Sequence, residues 1–147
     1  DNTDGSNPSR ELNEMYGKTN ELDPDSFYGK YINAAFKQFE DKKIKYLVFS
    51  GGARFAGADN ISDIEWCRQN FKGDDFIFSK GNTAINDFSL IMSCDHNILS
   101  HISSFGWWAA YLNQNPNKIV VAPEKYHPDM PEYTHREGFY PDNWRLV

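Results

Sequence analysis

Residues 87–112 read DFSLIMSCDHNILSHISSFGWWAAYL, and the order of patterns within them decides the fold. Asp87 opens an apolar, helix-like segment, Phe88 to Cys94. A short β-like stretch, Asn97 to Ser100, follows. The small-residue turn Ile102-Ser103-Ser104-Phe105-Gly106 then leads into a second apolar segment, Trp107 to Leu112. Helix, strand, serine–glycine turn, helix is how open α/β proteins present a helix N-terminus to a phosphate, because the first-turn N–H groups lack partners and carry the positive end of the dipole.

Moving upstream, Asp75 to Ser79 reads as a strand, and Ser62-Asp63-Ile64-Glu65 resembles a capping box that opens a helix through Phe71. Tyr46-Leu47-Val48-Phe49 is a continuous apolar run with the look of a buried parallel strand. Asp23-Pro24-Asp25 predicts a helix start with Pro24 in the first turn; Phe27, Tyr28, Tyr31, Ile32, Ala35, Phe36 and Phe39 then repeat at helical spacing. Residues 1–22 are polar and read as a flexible segment with a short helix around Arg10 to Tyr16. Downstream, a helix from Phe105 to Asn113 is followed by the strand Lys118 to Ala122, which Pro123 stops. The tail from Glu124 should wrap the surface until Phe139-Tyr140 and Trp144 dock. Strands alternating with helices predict βαβ units, hence a Rossmann-like parallel sheet with helices on both faces. Ligands of such sheets sit beyond the carboxyl ends of the strands, here the loops after Phe49, Phe78, Ser100 and Ala122.

The chain has 147 residues, enough for one self-sufficient core over residues 23–147. A net charge of −6 argues against a nucleic-acid partner. An aromatic content of 16% excludes disorder for most of the chain. Cys67 and Cys94 each stand in an apolar helical setting and read as two buried thiols, not a disulfide. The four histidines and two cysteines show no metal-ligand spacing. No run approaches the roughly 18 apolar residues of a membrane span. The chain opens on Asp1-Asn2-Thr3-Asp4-Gly5 without an initiator Met or signal peptide, which reads as a fragment or an excised domain.

Each candidate residue has two readings. The hydroxyls of Ser103 and Ser104 and the N–H groups of Phe105, Gly106 and Trp107 suit a diphosphate, but a serine here is more often an ordinary N-cap. Asp87 can accept two N–H groups from a guanine edge; Asn86 or Asp87 can equally cap the helix, the commoner use. Trp107-Trp108 and the stripe Phe88, Leu90, Ile91 are expected in the core. His96 and His101 bracket a strand and read as backbone-satisfied before they read as general bases. Gly73-Asp74-Asp75 resembles an acidic metal motif but is placed as a turn at the amino end of a strand. His127, Asp129, His135 and Arg136 lack motif spacing and read as surface.

Taken together, these pieces resemble the carboxyl-terminal half of the α-1,2-fucosyltransferases of glycosyltransferase family 11. The pattern D-F-x-L-x-x-x-C-x-H-x-I followed by [ST]-F-x-[WF]-W-x-A-x-L is met at Asp87, Phe88, Leu90, Cys94, His96, Ile98, Ser104, Phe105, Trp108, Ala110 and Leu112. The flanks Asp63-Ile64-Glu65-Trp66-Cys67, Lys118 to Pro123 and Tyr140-Pro141-Asp142-Asn143-Trp144 are similar too, so the likeness runs from residue 24 to 147. The resemblance implies inverting transfer of L-fucose from GDP-fucose to the 2-hydroxyl of a galactoside, on a GT-B-type pair of α/β domains and without a metal. This chain would be the donor-binding half, its partner the missing amino-terminal half. Asp87 would read the guanine, and Ser103, Ser104, Phe105 and Gly106 would line the diphosphate; no catalytic base is assigned. The compartment implied is cytoplasmic, peripheral at the membrane face, or the Golgi lumen for an animal member.

Two departures stand against the family pattern. The H-x-R-R-x-D motif, whose arginines clamp the donor phosphates, belongs just before residue 1, and Arg10 does not replace it. Gly51 to Ser62, GGARFAGADNIS, separates Val48-Phe49-Ser50 from Asp63 where the family runs on, and reads as a loop insertion at the ligand edge or a faulty gene translation. It lacks the Lys-Ser/Thr ending of a P-loop. A degenerate, non-catalytic nucleotide-binding domain is the rival reading, and a related inverting transferase with another acceptor a third.

Overall fold

Strand and helix positions follow the alternation read from the sequence. The computed structural model describes residues 21–51, 63–101, 103–125 and 138–147. Their elements run α1 (Phe27–Lys37), β1 (Tyr46–Val48), α2 (Asp63–Asn70), β2 (Phe76–Phe78), α3 (Ala84–Ser93), β3 (Asn97–Ile98), α4 (Ser104–Leu112), β4 (Val120–Ala122) and β5 (Arg145–Leu146). They fall into two compact units, one holding Lys42–Lys80 with the chain up to Asn33, the other Ala34–Asp41 and Gly81–Val147. The predicted segment 1–20, most of the Gly51 to Ser62 insertion, and the tail cluster His127, Asp129, His135 and Arg136 lie outside the described residues.

In the first unit β1 and β2 pair in parallel, Tyr46 opposite Phe76 and Val48 opposite Phe78. Bonds from Tyr46 N–H to the Asp75 carbonyl (2.7 Å) and from Ser79 N–H to the Val48 carbonyl (2.9 Å) extend the ladder at both ends. Aromatic side chains line this ladder: Tyr46 stacks on Phe76 at 5.0 Å, Phe76 on Phe71 at 5.6 Å, and Phe71 meets the buried Trp66 of α2 edge-on. Asp63 and Glu65 occupy the first turn of α2, the favourable end of its dipole.

The start of α1 differs from the expectation. Pro24 and Asp25 form a turn ahead of the helix, closed by Ser26 N–H donating to the Asp23 carbonyl at 3.1 Å, and Ser26 Oγ accepts the Gly29 N–H at 3.1 Å as a cap does. Folding the turn back this closely leaves no room over Gly29, where a Cβ would lie 2.0 Å from the Asp23 carbonyl oxygen. Gly29→Ala should therefore destabilise the protein by about 1–3 kcal/mol, the cost typical of overpacking. Chemical denaturation of the two forms measures it, and equal midpoints would show that the turn is not held there.

In the second unit β3, β4 and β5 form a parallel sheet with β4 central; Asn97 pairs with Val120, and Val121 with Arg145. Among the described residues the expected single sheet is thus two, since β1–β2 and β3–β4–β5 are separate ladders. β4 is buried throughout, as its unbroken apolar run predicts. Leu99, Ala110, Val120, Ala122 and Trp144 make the core, with Trp107, Tyr140 and Leu146 packed on it. Trp144 and Tyr140 dock as expected, but Phe139 stays 44% exposed, and the tail ends in a strand, β5, that the pattern did not announce. The buried Asn113 fastens the amino edge: its Nδ2 donates to the Cys94 carbonyl (2.7 Å) and to Asn97 Oδ1 (3.0 Å). Lys118 Nζ closes the C-terminus of α4 by donating to the carbonyls of Ala110, Tyr111 and Asn113.

Candidate functional site

The two proposed donor-binding elements are the first turns of α3 and α4. Helix α4 is capped by Ser103, whose Oγ accepts the Gly106 N–H at 3.1 Å while its carbonyl accepts the Trp107 N–H at 3.0 Å. A serine hydroxyl that accepts still has its own proton to donate, so capping and ligand contact are compatible. Ser104 and Phe105 are exposed and Gly106 is half-buried. A Cβ at Gly106 would meet Ser103 Oγ at 3.5 Å and Leu99 Cδ2 at 3.7 Å, ordinary contacts, so the fold itself does not demand glycine there.

Helix α3 is capped by Thr83, not by Asn86 or Asp87: Thr83 Oγ1 accepts the Asn86 N–H at 3.3 Å. Asp87 lies inside the first turn, its N–H donating to the Thr83 carbonyl at 3.0 Å. Its carboxylate Oδ1 accepts from Asn82 Nδ2 at 3.2 Å. Asn82 and Thr83, both short polar residues ahead of an apolar run, are the local signal for this helix start, upstream of the Asn86 or Asp87 cap expected.

Helices α3 and α4 pack against each other. The residues next to Asp87 and Ser104 make the contact at this end: the Phe88 and Phe105 rings meet edge-on, 5.2 Å between centroids. The chain neighbours of Asp87 and Ser104 thus meet across the two helices.

The remaining candidates are elsewhere. His96 Nδ1 accepts the Ile119 N–H at 3.0 Å, which leaves the proton of the neutral ring on Nε2 and gives this histidine the backbone role expected of it. His101 is buried beyond β3. Gly73-Asp74-Asp75 forms a turn before β2, Gly73 taking φ +110°, and Lys45 Nζ ties to Asp75 Oδ1 at 3.0 Å. Cys67 and Cys94 are thiols, though half-buried where full burial was expected. Burial, with Asp95 adding to it, pushes the Cys94 thiol up, so it stays protonated and is a poor nucleophile at neutral pH. Among the described residues no group of three His, Cys, Asp or Glu side chains could hold a metal ion. No helix among them is long and apolar enough to cross a membrane.

The model of glycosyl transferase family 11 matches residues 28–147, most of the chain. The chain belongs to that family. Galactoside alpha-(1,2)-fucosyltransferase 1 of Leontopithecus chrysomelas is 44% identical over 54 residues, which cover 33% of this chain and 14% of that protein. The proteins of the same name from Alouatta caraya and Saimiri sciureus match with the same identity and coverage. The matched stretch is thus about a seventh of the length of these relatives. No solved structure matches the chain.

In this family 11 member the apolar faces of α3 and α4 are buried less than their sequence pattern predicts. Trp107 packs as expected, 5.4 Å from Trp144 with its Nε1 donating to the Phe139 carbonyl. Trp108 does not; it is 53% exposed. Leu90 of the predicted core stripe is 41% exposed, and α3 contains no fully buried residue. A helical repeat identifies an apolar face but not what covers it.

Proposed function

We propose that this family 11 chain is the donor-binding, carboxyl-terminal half of an α-1,2-fucosyltransferase, transferring L-fucose from GDP-fucose to the 2-hydroxyl of a galactoside with inversion. The observation that supports this reading is the Phe88–Phe105 contact, which joins the chain neighbours of Asp87 and Ser104 across the two helices. One carboxylate together with one helix N-terminus matches a guanine joined to a diphosphate, a ligand with paired N–H donors at one end and negative charge at the other. The relatives' name, galactoside alpha-(1,2)-fucosyltransferase 1, supports the same transfer.

In this reading Asp87 accepts from guanine, the Ser103 and Ser104 hydroxyls and the Phe105 N–H face the phosphates, and Gly106, whose own N–H closes the Ser103 cap, lets the backbone approach them closely. GDP leaves with growing negative charge, and donors already oriented at the helix start stabilise that charge without reorganising. The family resemblance supplies the remaining parts: a GT-B-type arrangement with an amino-terminal half, arginines on the donor phosphates, transfer without a metal, and work in the cytoplasm at a membrane face or in the Golgi lumen.

The test is fucose transfer to lactose and N-acetyllactosamine by the full-length protein, with GDP-fucose against UDP- and ADP-linked sugars. Product 2-O-linked to galactose, formed from GDP-fucose alone, is the expected result. Transfer from another nucleotide sugar, or none from GDP-fucose, would overturn the reading.

A further inference from the structure

The approach to α3 is built around the Asp87 carboxylate. Gly81 adopts φ +78°, a left-handed conformation that turns the chain just before Asn82. Thr83 then takes the cap, so the Asp87 side chain is not required to close its own helix. Five residues ahead of Asp87, the Asn82 amide Nδ2 donates to Oδ1 at 3.2 Å.

We propose that Asn82 is a positioning residue for base recognition, its amide holding the Asp87 carboxylate in the plane that a guanine edge needs. The inference rests on the reading of Asp87 as the guanine acceptor. Guanine presents N1–H and N2–H₂ side by side, and a carboxylate matches them only when both oxygens lie in the base plane. The last torsion of an aspartate is broad and roughly two-fold, so an unheld carboxylate samples many planes. One fixed donor on Oδ1 narrows that range before the nucleotide arrives and reduces the ordering cost of binding. An amide is the right donor for this purpose. It is neutral, so it orients the carboxylate without cancelling the charge that strengthens the bonds to guanine. An ionised carboxylate offers about four acceptor positions, so one bond from Asn82 is compatible with two more from the base.

The experiment is calorimetry of GDP, IDP and ADP against the full-length protein and its Asn82→Ala, Asn82→Asp, Thr83→Ala and Asp87→Asn variants, with a melting curve for each. Asn82→Ala should weaken GDP about three- to tenfold, the worth of one hydrogen bond, and leave ADP unchanged. IDP, which lacks the 2-amino donors, should lose less than GDP. Asn82→Asp, of the same shape but with an acceptor in place of the donor, should lose at least as much GDP preference. Thr83→Ala should lower the melting temperature and keep the GDP-to-ADP ratio. If both Asn82 variants keep that ratio while Asp87→Asn abolishes it, the role of Asn82 is overturned and the Asp87 reading stands. If the Asn82 variants weaken all three nucleotides equally along with the melting temperature, Asn82 is structural and the proposal fails. If Asp87→Asn keeps the ratio, the guanine reading itself fails and takes the proposal with it.

Discussion

Ser104→Ala combined with Gly106→Val should lower fucose transfer by the full-length protein by about 10²- to 10³-fold, the usual loss when an oriented donor to developing negative charge is removed. A Cβ at Gly106 is accommodated, since its nearest neighbour is the Ser103 hydroxyl at 3.5 Å. Valine at this position removes the close backbone approach that glycine permits. Ser104 is the first residue of α4 and exposed, so removing its hydroxyl leaves the Ser103 cap in place. Bonds to the departing diphosphate strengthen as the sugar–phosphate bond breaks, so turnover should fall more than donor affinity does. Steady-state kinetics with varied GDP-fucose separates the two, and a melting curve verifies the fold. Unchanged turnover with a folded protein would move the donor phosphates away from α4.

Asp87→Asn should erase most of a preference for GDP over ADP and UDP that is at least roughly tenfold, about 1.4 kcal/mol. The substitution keeps the shape but turns one acceptor into a donor, which then faces the N–H groups of guanine and leaves one of them without a partner. The helix should survive, because Thr83 performs the capping and the Asp87 backbone N–H bonds to the Thr83 carbonyl regardless of its side chain. A small loss of stability is expected from removing an acidic residue in the first turn, on the order of 0.3–1 kcal/mol. Competition binding of GDP, ADP and UDP to both forms decides the matter. Equal affinities for the three nucleotides in the unsubstituted protein would remove Asp87 from base recognition, and unfolding of the variant would make its role structural.

Much of the site's framework was visible along the chain. The run Val120-Val121-Ala122 is buried without interruption, as an all-apolar central strand must be. Ser103 caps α4, since a hydroxyl ahead of an apolar helix is the nearest partner for an orphan N–H. The start of α3 is ambiguous along the chain because Asp87 and Asn86 are also good capping types; Thr83 takes the cap, so the helix begins at Ala84. The donor-site roles came from the family pattern, and no periodicity distinguishes a phosphate-binding serine from a capping one.

Where helices and strands alternate, and which chemistry-bearing residues stand at their junctions, is legible along the chain, because hydrophobic period, caps and turn residues act over a few neighbouring positions. That the strands among the described residues form two ladders, that Arg145-Leu146 joins β4, and that Trp108 and Leu90 lie exposed follow from long-range contacts. The same packing set Phe88 against Phe105, the chain neighbours of Asp87 and Ser104. Strand pairing, burial and helix contact depend on partners distant along the chain, and no local pattern records which partner will be met.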